Sequence, residues 1–233
     1  MPPDAEMLKR EAAAAALAEV ESGMVLGLGT GSTVAHFLEL LGTALEEGRL
    51  EGVVGVPSSV RTGREARNAG IPLEALSDCP ELDLTVDGAD EVTPDLDLVK
   101  GMGGALLREK MVAQASRRLC IIADEGKAVD RLGTRSPLPV EVVDWAWQVH
   151  AAYLESRGAR VSLRTFDDGP PYKSDNGNII LDCRFPEGIP DPAELELTLH
   201  QRAGVVETGL FLGMADRAFL AGPDGVRTLE AGS

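Results

Sequence analysis

A chain of 233 residues that is 44% hydrophobic and 26% charged carries enough apolar material for one large domain, or for a main domain with a smaller companion. Its net charge of −16 repels phosphate backbones and anionic lipid, so neither nucleic acid nor a membrane is an expected partner. The cysteines (Cys79, Cys120, Cys183) and histidines (His36, His150, His200) show neither C-x-x-C nor ligand spacing, which argues against a disulfide framework and a metal centre.

The N-terminal MPPDAEMLKREAAAAALAEV has acids ahead of its Ala-rich stretch and no basic run. It predicts an amphipathic helix rather than a signal peptide, in a cytoplasmic protein. Candidate strands follow at residues 24–28, 53–56, 82–86, 96–99 and 119–123. Between them, Val34, Phe37, Leu38, Leu41 and Leu45 recur at helical spacing, and Ser58 or Ser59 caps a short helix through Asn68. Gly103 and Gly104 open a further helix running to about Ala115. Strands alternating with helices predict an α/β fold, a mostly parallel sheet covered on both faces. After Pro137 and Pro139 the pattern changes. A helix is expected over residues 142–156, then paired strands at 160–166 and 178–185 around a Gly/Pro/Asp/Asn-rich loop, a helix over 192–201 and a strand at 205–212. That αββαβ order predicts a small α+β domain packed on the first. Residues 217–221 and 226–229 form a closing hairpin whose sheet the sequence leaves open.

Polar residues cluster just after the expected strands, where open α/β sheets bind their ligands. GLGTGST follows the first strand: its glycines bring backbone N–H groups close to an anion, and Ser32, Thr33 and a helix N-terminus add donors. Phosphate is the natural guest, although a plain turn capped by Ser or Thr uses the same residues. The dinucleotide fingerprint fails, because it needs glycine where Ser32 stands and an acid where Pro57 and Ser58 end the second strand; no Gly-Lys-Ser/Thr closes a P-loop. DGADE sets Asp87 and Asp90 in one tight turn, and paired carboxylates can divide acid and base roles. An Asp-Gly turn on a solvated surface is the alternative. In KGMGGALLREK, Lys100 leaves the fourth strand and Glu109 sits between Arg108 and Lys110, a pattern that is more usually a solvated helix face. Lys127 ends the DEGK that follows the fifth strand.

In chain order, Leu8 and Lys9, GLGTGSTV, VPSS, DGADE, LVKGMGGALLREK, IIADEGK, LPVEV, SDNGN, AGVVETGLF and PDGV resemble the type A ribose-5-phosphate isomerases over nearly the whole chain. The resemblance implies a Rossmann-like catalytic domain of residues 1–134 and 208–233, with a smaller α+β, ferredoxin-like domain at 135–207. It implies interconversion of D-ribose 5-phosphate and D-ribulose 5-phosphate through an enediolate, in the non-oxidative pentose phosphate pathway. No cofactor is needed, and the expected assembly is a homodimer or homotetramer. Glu109 aligns with the general base, and Asp87 with the acid/base group for ring opening or for proton transfer between O1 and O2. Asp90 would position substrate hydroxyls. Lys100 would stabilise oxyanion charge, with N–H groups of Gly101, Met102 and Gly103. Thr30, Gly31, Ser32 and Thr33, together with Gly88 and Ala89, would hold the substrate, and Lys127 and Lys9 would meet its phosphate. Met102 stands where many relatives carry glycine, so only its backbone is expected to matter. Two other classes stay in view: a non-catalytic sugar-phosphate sensor, for which no output module is visible, and an NAD-dependent oxidoreductase, which the missing fingerprint opposes.

Overall fold

Apolar periodicity makes the first half of the chain alternate between helix and strand. The computed structural model describes residues 5–166 and 169–232, so the first four residues of the expected N-terminal helix, and part of the loop before residue 178, lie outside it. Helix α1 (Ala5–Leu17) leads to β1 (Val25–Leu28), α2 (Ser32–Glu46), β2 (Val54–Pro57), α3 (Val60–Asn68) and β3 (Leu84–Gly88). Short strands β4 (Glu91–Val92) and β5 (Leu98–Val99) precede α4 (Leu106–Gln114), β6 (Leu119–Asp124) and a 3-10 turn at Glu125–Lys127. The remainder comprises β7 (Leu138–Val142), α5 (Gln148–Ser156), β8 (Arg160–Leu163), β9 (Ile179–Arg184), α6 (Pro192–His200), β10 (Val205–Thr208), β11 (Leu210–Phe211), β12 (Arg217–Gly222) and β13 (Gly225–Glu230).

Six strands form the main sheet in the order β13-β12-β6-β3-β1-β2, parallel except for the terminal β13. The closing hairpin therefore rejoins the large sheet, through β12 beside β6. The period-2 alternation of a strand sorts its residues. Leu26, Leu28, Leu84, Val86, Cys120 and Ile122 pack with Ala12, Ala16, Phe37 and Leu41 of α1 and α2. Leu119, Ile121 and Ala123 face the other way, toward Ala113 of α4 and Phe211. The same alternation turns Thr85 and Asp87 away from α1 and α2, onto the α4 side. This places a carboxylate under the site.

The second sheet has the order β10-β7-β9-β8 with every pairing antiparallel, the ferredoxin-like βαββαβ arrangement with α5 and α6 as its helices. Its core is Val140, Val142, Leu154, Ile179, Leu181, Leu195 and Leu199.

Three expectations need correction. The fourth strand is not in the parallel sheet: Leu96 takes φ 63 in a turn closed by its N–H to Thr93 O, so only Leu98 and Val99 remain extended. They pair antiparallel with β4 and β11 in a small third sheet. The helix expected over 142–156 is instead strand, turn and helix. Pro139 lies within β7, where its carbonyl still accepts the N–H of Gly209, and Ala146 at φ 50 separates that strand from α5. The expected strand at 205–212 is likewise split at Gly209, which joins two sheets: its N–H goes to Pro139 O and its carbonyl takes the N–H of Lys100.

Candidate active site

The carboxyl ends of β1, β3, β5 and β6 meet around a cavity of about 320 Å³. It is lined by Thr30–Thr33, Gly88–Asp90, Lys100, Gly101, Gly103, Glu109 and Lys127, and by Arg61 from α3. Asp87 lies just beneath, 1% exposed. Of the residues expected from sequence, all but Lys9, Met102 and Asp87 line it. Lys9 is instead held by Glu6, one turn earlier on α1. Met102 turns its side chain outward and gives its N–H to Asp90 Oδ2 at 3.0 Å, so its backbone is the part that matters.

At the floor lies a buried ionic cluster. Lys100, 1% exposed, places its Nζ 3.0 Å from Asp87 Oδ2 and 3.1 Å from Glu109 Oε1, and donates to Gly88 O. Glu109 is 3% exposed because α4 turns Leu106, Glu109, Lys110, Val112 and Ala113 inward, one face that is part apolar and part charged. Asp87 Oδ1 accepts the N–H of Thr30 at 3.0 Å and of Gly88 at 2.7 Å. Gly29 is required by that approach, since a Cβ there would stand 2.1 Å from Asp87 Oδ1. Among the described residues Glu109 Oε2 has no hydrogen-bond partner, although it is buried. An unpartnered carboxylate oxygen on a cavity residue is costly unless a ligand or proton meets it.

Burial raises the Glu109 pKa most; Lys100 opposes the shift, Asp87 adds to it, and the result is about 8. The balance that sequence left open therefore falls to desolvation. Burial also raises Asp90. For Lys100 burial favours the neutral amine, but the charges of Asp87 and Glu109 outweigh it and hold the ammonium above its ordinary range.

Facing this cluster, α2 begins at Ser32 behind Gly31, with no side chain capping it. The capped-turn alternative is thereby set aside: the first-turn N–H groups have no intrahelical acceptor, and Ser32 and Thr33 sit among them. Lys127 makes no ion pair among the described residues, which leaves its charge for an anion there. Thr30 lines the cavity and also has a structural part. Its hydroxyl meets Ser58, Ser59 and Thr62 at 2.9 Å each, pinning the loop to the capped start of α3. Sequence reasoning missed that knot and missed Arg61, which lines the cavity while pairing with Glu65 at 2.8 Å. The available signal was the run SSVRTGRE, whose cap was recognised but whose first turn was not carried to the site.

Away from the cavity, ligand atoms of Glu196, His200 and Glu207 come within 4.8 Å of one another, as a metal site requires. The Lys110 ammonium already meets this set, 2.6 Å from Glu207 and 3.2 Å from Glu196, so it reads as a closed ion-pair network.

Comparison with known proteins shows the family. Residues 54–225 match the family model of ribose 5-phosphate isomerase A (phosphoriboisomerase A). A ribose-5-phosphate isomerase A of Chloroflexus aurantiacus is 53% identical over 222 residues, covering 95% of this chain and 92% of that protein. One from Deinococcus radiodurans is 49% identical over 97% of this chain and 99% of its own length. Among solved structures, the Plasmodium falciparum ribose 5-phosphate isomerase superposes with a TM-score of 0.94 at 38% identity, covering 98% of this chain and all 100% of its own. A D-ribose-5-phosphate isomerase in complex with phospho-erythronic acid gives 0.94 at 40% identity, with coverages of 98% and 100%. The chain belongs to the ribose 5-phosphate isomerase A family.

Proposed function

We propose that the chain interconverts D-ribose 5-phosphate and D-ribulose 5-phosphate, with Glu109 as the single base. The observation that carries this is Glu109 Oε2: buried, without a hydrogen-bond partner, and borne by a residue on the cavity wall next to an ammonium. A hydrogen α to a carbonyl is weakly acidic, so its removal needs both a strong base and stabilisation of the enediolate. Burial makes Glu109 a stronger base than an ordinary carboxylate. It takes the C2 proton of the open-chain aldose, the electron pair moves to the carbonyl oxygen, and the proton returns to C1. Lys100 and the N–H groups of Gly101–Gly103 meet the negative oxygen. Asp87, already accepting two backbone N–H groups, opens the ring or moves the proton between O1 and O2, and Asp90 positions the hydroxyls. The phosphate lies on the first turn of α2 with Ser32 and Thr33, and Lys127 supplies counter-charge. Two fixed parts, an anion seat and an acid–base floor, thus hold the two ends of one small molecule.

The reading extends to a homodimer or homotetramer, which light scattering on the purified chain checks, and to the cytoplasm, which cell fractionation checks. The test of the reaction is formation of ribulose 5-phosphate from ribose 5-phosphate by EDTA-treated protein without added nucleotide. Turnover that Glu109→Gln abolishes supports it. Bound ribose 5-phosphate without turnover would leave only a sensor.

A further inference from the structure

The antiparallel sheet has no part in the chemistry above, yet one of its residues grips the loop that carries Lys100. Arg164, just past β8, is 11% exposed in its side chain. Its Nη1 donates to Gly101 O at 3.0 Å and to Met102 O at 3.1 Å. Nε and Nη2 form a two-pronged pair with Asp182 of β9, at 2.9 Å and 2.5 Å. The Tyr172 ring lies 5.9 Å from the guanidinium, and its hydroxyl packs against Gly104, where a Cβ would stand 2.3 Å away. The guanidinium is thus held on one side by a carboxylate, while Nη1 reaches two consecutive carbonyls and Nη2 also contacts Met102 Sδ at 3.7 Å.

Those carbonyls fix the peptide planes behind them. In a trans peptide the C=O and N–H point in opposite directions. With Gly101 O on Arg164, the Met102 N–H points away from it, and Asp90 Oδ2 receives it at 3.0 Å. With Met102 O on Arg164, the Gly103 N–H also points away from it. Gly103 lines the cavity, Arg164 does not, and among the described residues the Gly103 N–H has no acceptor. Gly101 adopts φ 100, which favours glycine, and its carbonyl also takes the N–H of Gly104 at 3.0 Å, so the loop's own turn and Arg164 share that acceptor while Met102 O is held by Arg164.

We propose that Arg164, anchored by Asp182, is a positioning residue for the isomerase site: it holds the peptides at Gly101–Gly103 so that the Gly103 N–H meets the oxyanion of the enediolate. This rests on the proposed reaction. A donor aimed before the reaction is worth more in the transition state than in the substrate complex, and losing one costs roughly 100- to 1,000-fold in kcat. A donor that is misaimed rather than lost costs less.

The test compares wild type, Arg164→Ala and Asp182→Asn in steady-state turnover, thermal unfolding and inhibition by phospho-erythronic acid. The carboxylate of that acid presents oxygen charge near where the enediolate does. Arg164→Ala is expected to lower kcat by about 10- to 100-fold, with KM for ribose 5-phosphate within about threefold. Its affinity for phospho-erythronic acid falls in parallel with kcat, and added guanidinium ion restores part of the turnover. Asp182→Asn, which keeps the arginine but loosens it, is expected to lose about three- to tenfold in kcat, and it decides the matter if Arg164→Ala does not fold. Wild-type kcat in either folded variant, with only the melting temperature lowered, overturns the positioning role. So does a loss confined to KM and untouched by guanidinium. A wild-type chain with no turnover overturns instead the reading beneath it.

Discussion

Glu109 and Lys110 are neighbours on one helix, each buried to 3% exposure, and each belongs to a cluster of one lysine with two carboxylates. The two clusters flank the same ring: the Lys100 ammonium lies 5.4 Å and that of Lys110 4.9 Å from the centroid of Phe211. By residue type they are nearly alike. In the Lys110 cluster Glu207 Oε1 takes the ammonium and the N–H of Thr208, Glu196 takes the ammonium too, and no carboxylate oxygen is left buried without a partner. In the Lys100 cluster Glu109 Oε2 is left so, and its residue lines a cavity. The incomplete cluster is the one that offers an unspent acceptor at the cavity; Glu141 Oε2 is also buried without a partner, but Glu141 does not line the cavity. The complete one ties α4 to α6 and β10.

That difference can be broken from either side. Glu109→Gln should remove roughly 100- to 10,000-fold of kcat, the range for a general base, while the fold survives. Steady-state turnover beside a melting curve checks both halves. Lys110→Met should do the reverse. Stranding Glu196 and Glu207 should cost about 3–5 kcal/mol of stability in urea unfolding, with kcat per folded molecule near wild type. A large kcat loss in a stable Lys110→Met would erase the distinction.

Next in size is a pH effect. With Glu109 held near 8, kcat/KM should climb with pH until about 8, far above the range of an ordinary carboxylate near 4.5. Linkage gives the matching sign for stability. Between those two values the folded chain binds this proton and the unfolded chain does not, so its contribution is present below 4.5 and is lost as pH rises through 8. Glutamine does not titrate there, so the melting temperature of Glu109→Gln minus that of wild type should be higher at pH 8 than at pH 5. A difference that is lower at pH 8 than at pH 5 would mean that the Lys100 charge outweighs burial. The smallest effect is expected at the phosphate end: Lys127→Ala should raise KM by about tenfold and leave kcat nearly unchanged, as fits loss of one charge-assisted contact.

Much of this was visible in the chain itself. β1, β2, β3 and β6 carry short apolar runs, and Ser59 caps α3 as its position suggested. The rim also assembled as expected, because residues just after strand ends are placed by the strands. What failed depended on backbone states and distant partners. Leu96 and Ala146 adopt positive φ, which no residue-type pattern announces for these two amino acids, and so 96–99 and 142–156 were assigned too much regular structure. Pro139 looked like a boundary because it lacks a donor, yet β7 needs only its carbonyl there. Arg-Glu-Lys at 108–110 could not be sorted into exposed and buried residues from sequence, since the second sheet and Phe211 do the burying. Arg164 was invisible for the same reason: its acceptors lie 63 and 62 residues upstream.

The central claim is that the unspent oxygen of Glu109 carries the proton. Equilibrating ribose 5-phosphate with enzyme in deuterium oxide and following its C2–H signal by proton NMR tests this directly. The account predicts that wild type depletes that signal as C2 becomes the carbonyl of ribulose 5-phosphate, with deuterium appearing to the extent that Glu109 exchanges its proton with solvent, and that Glu109→Gln leaves the signal in place while still binding ribose 5-phosphate. Loss of the C2–H signal at the wild-type rate in Glu109→Gln would contradict it.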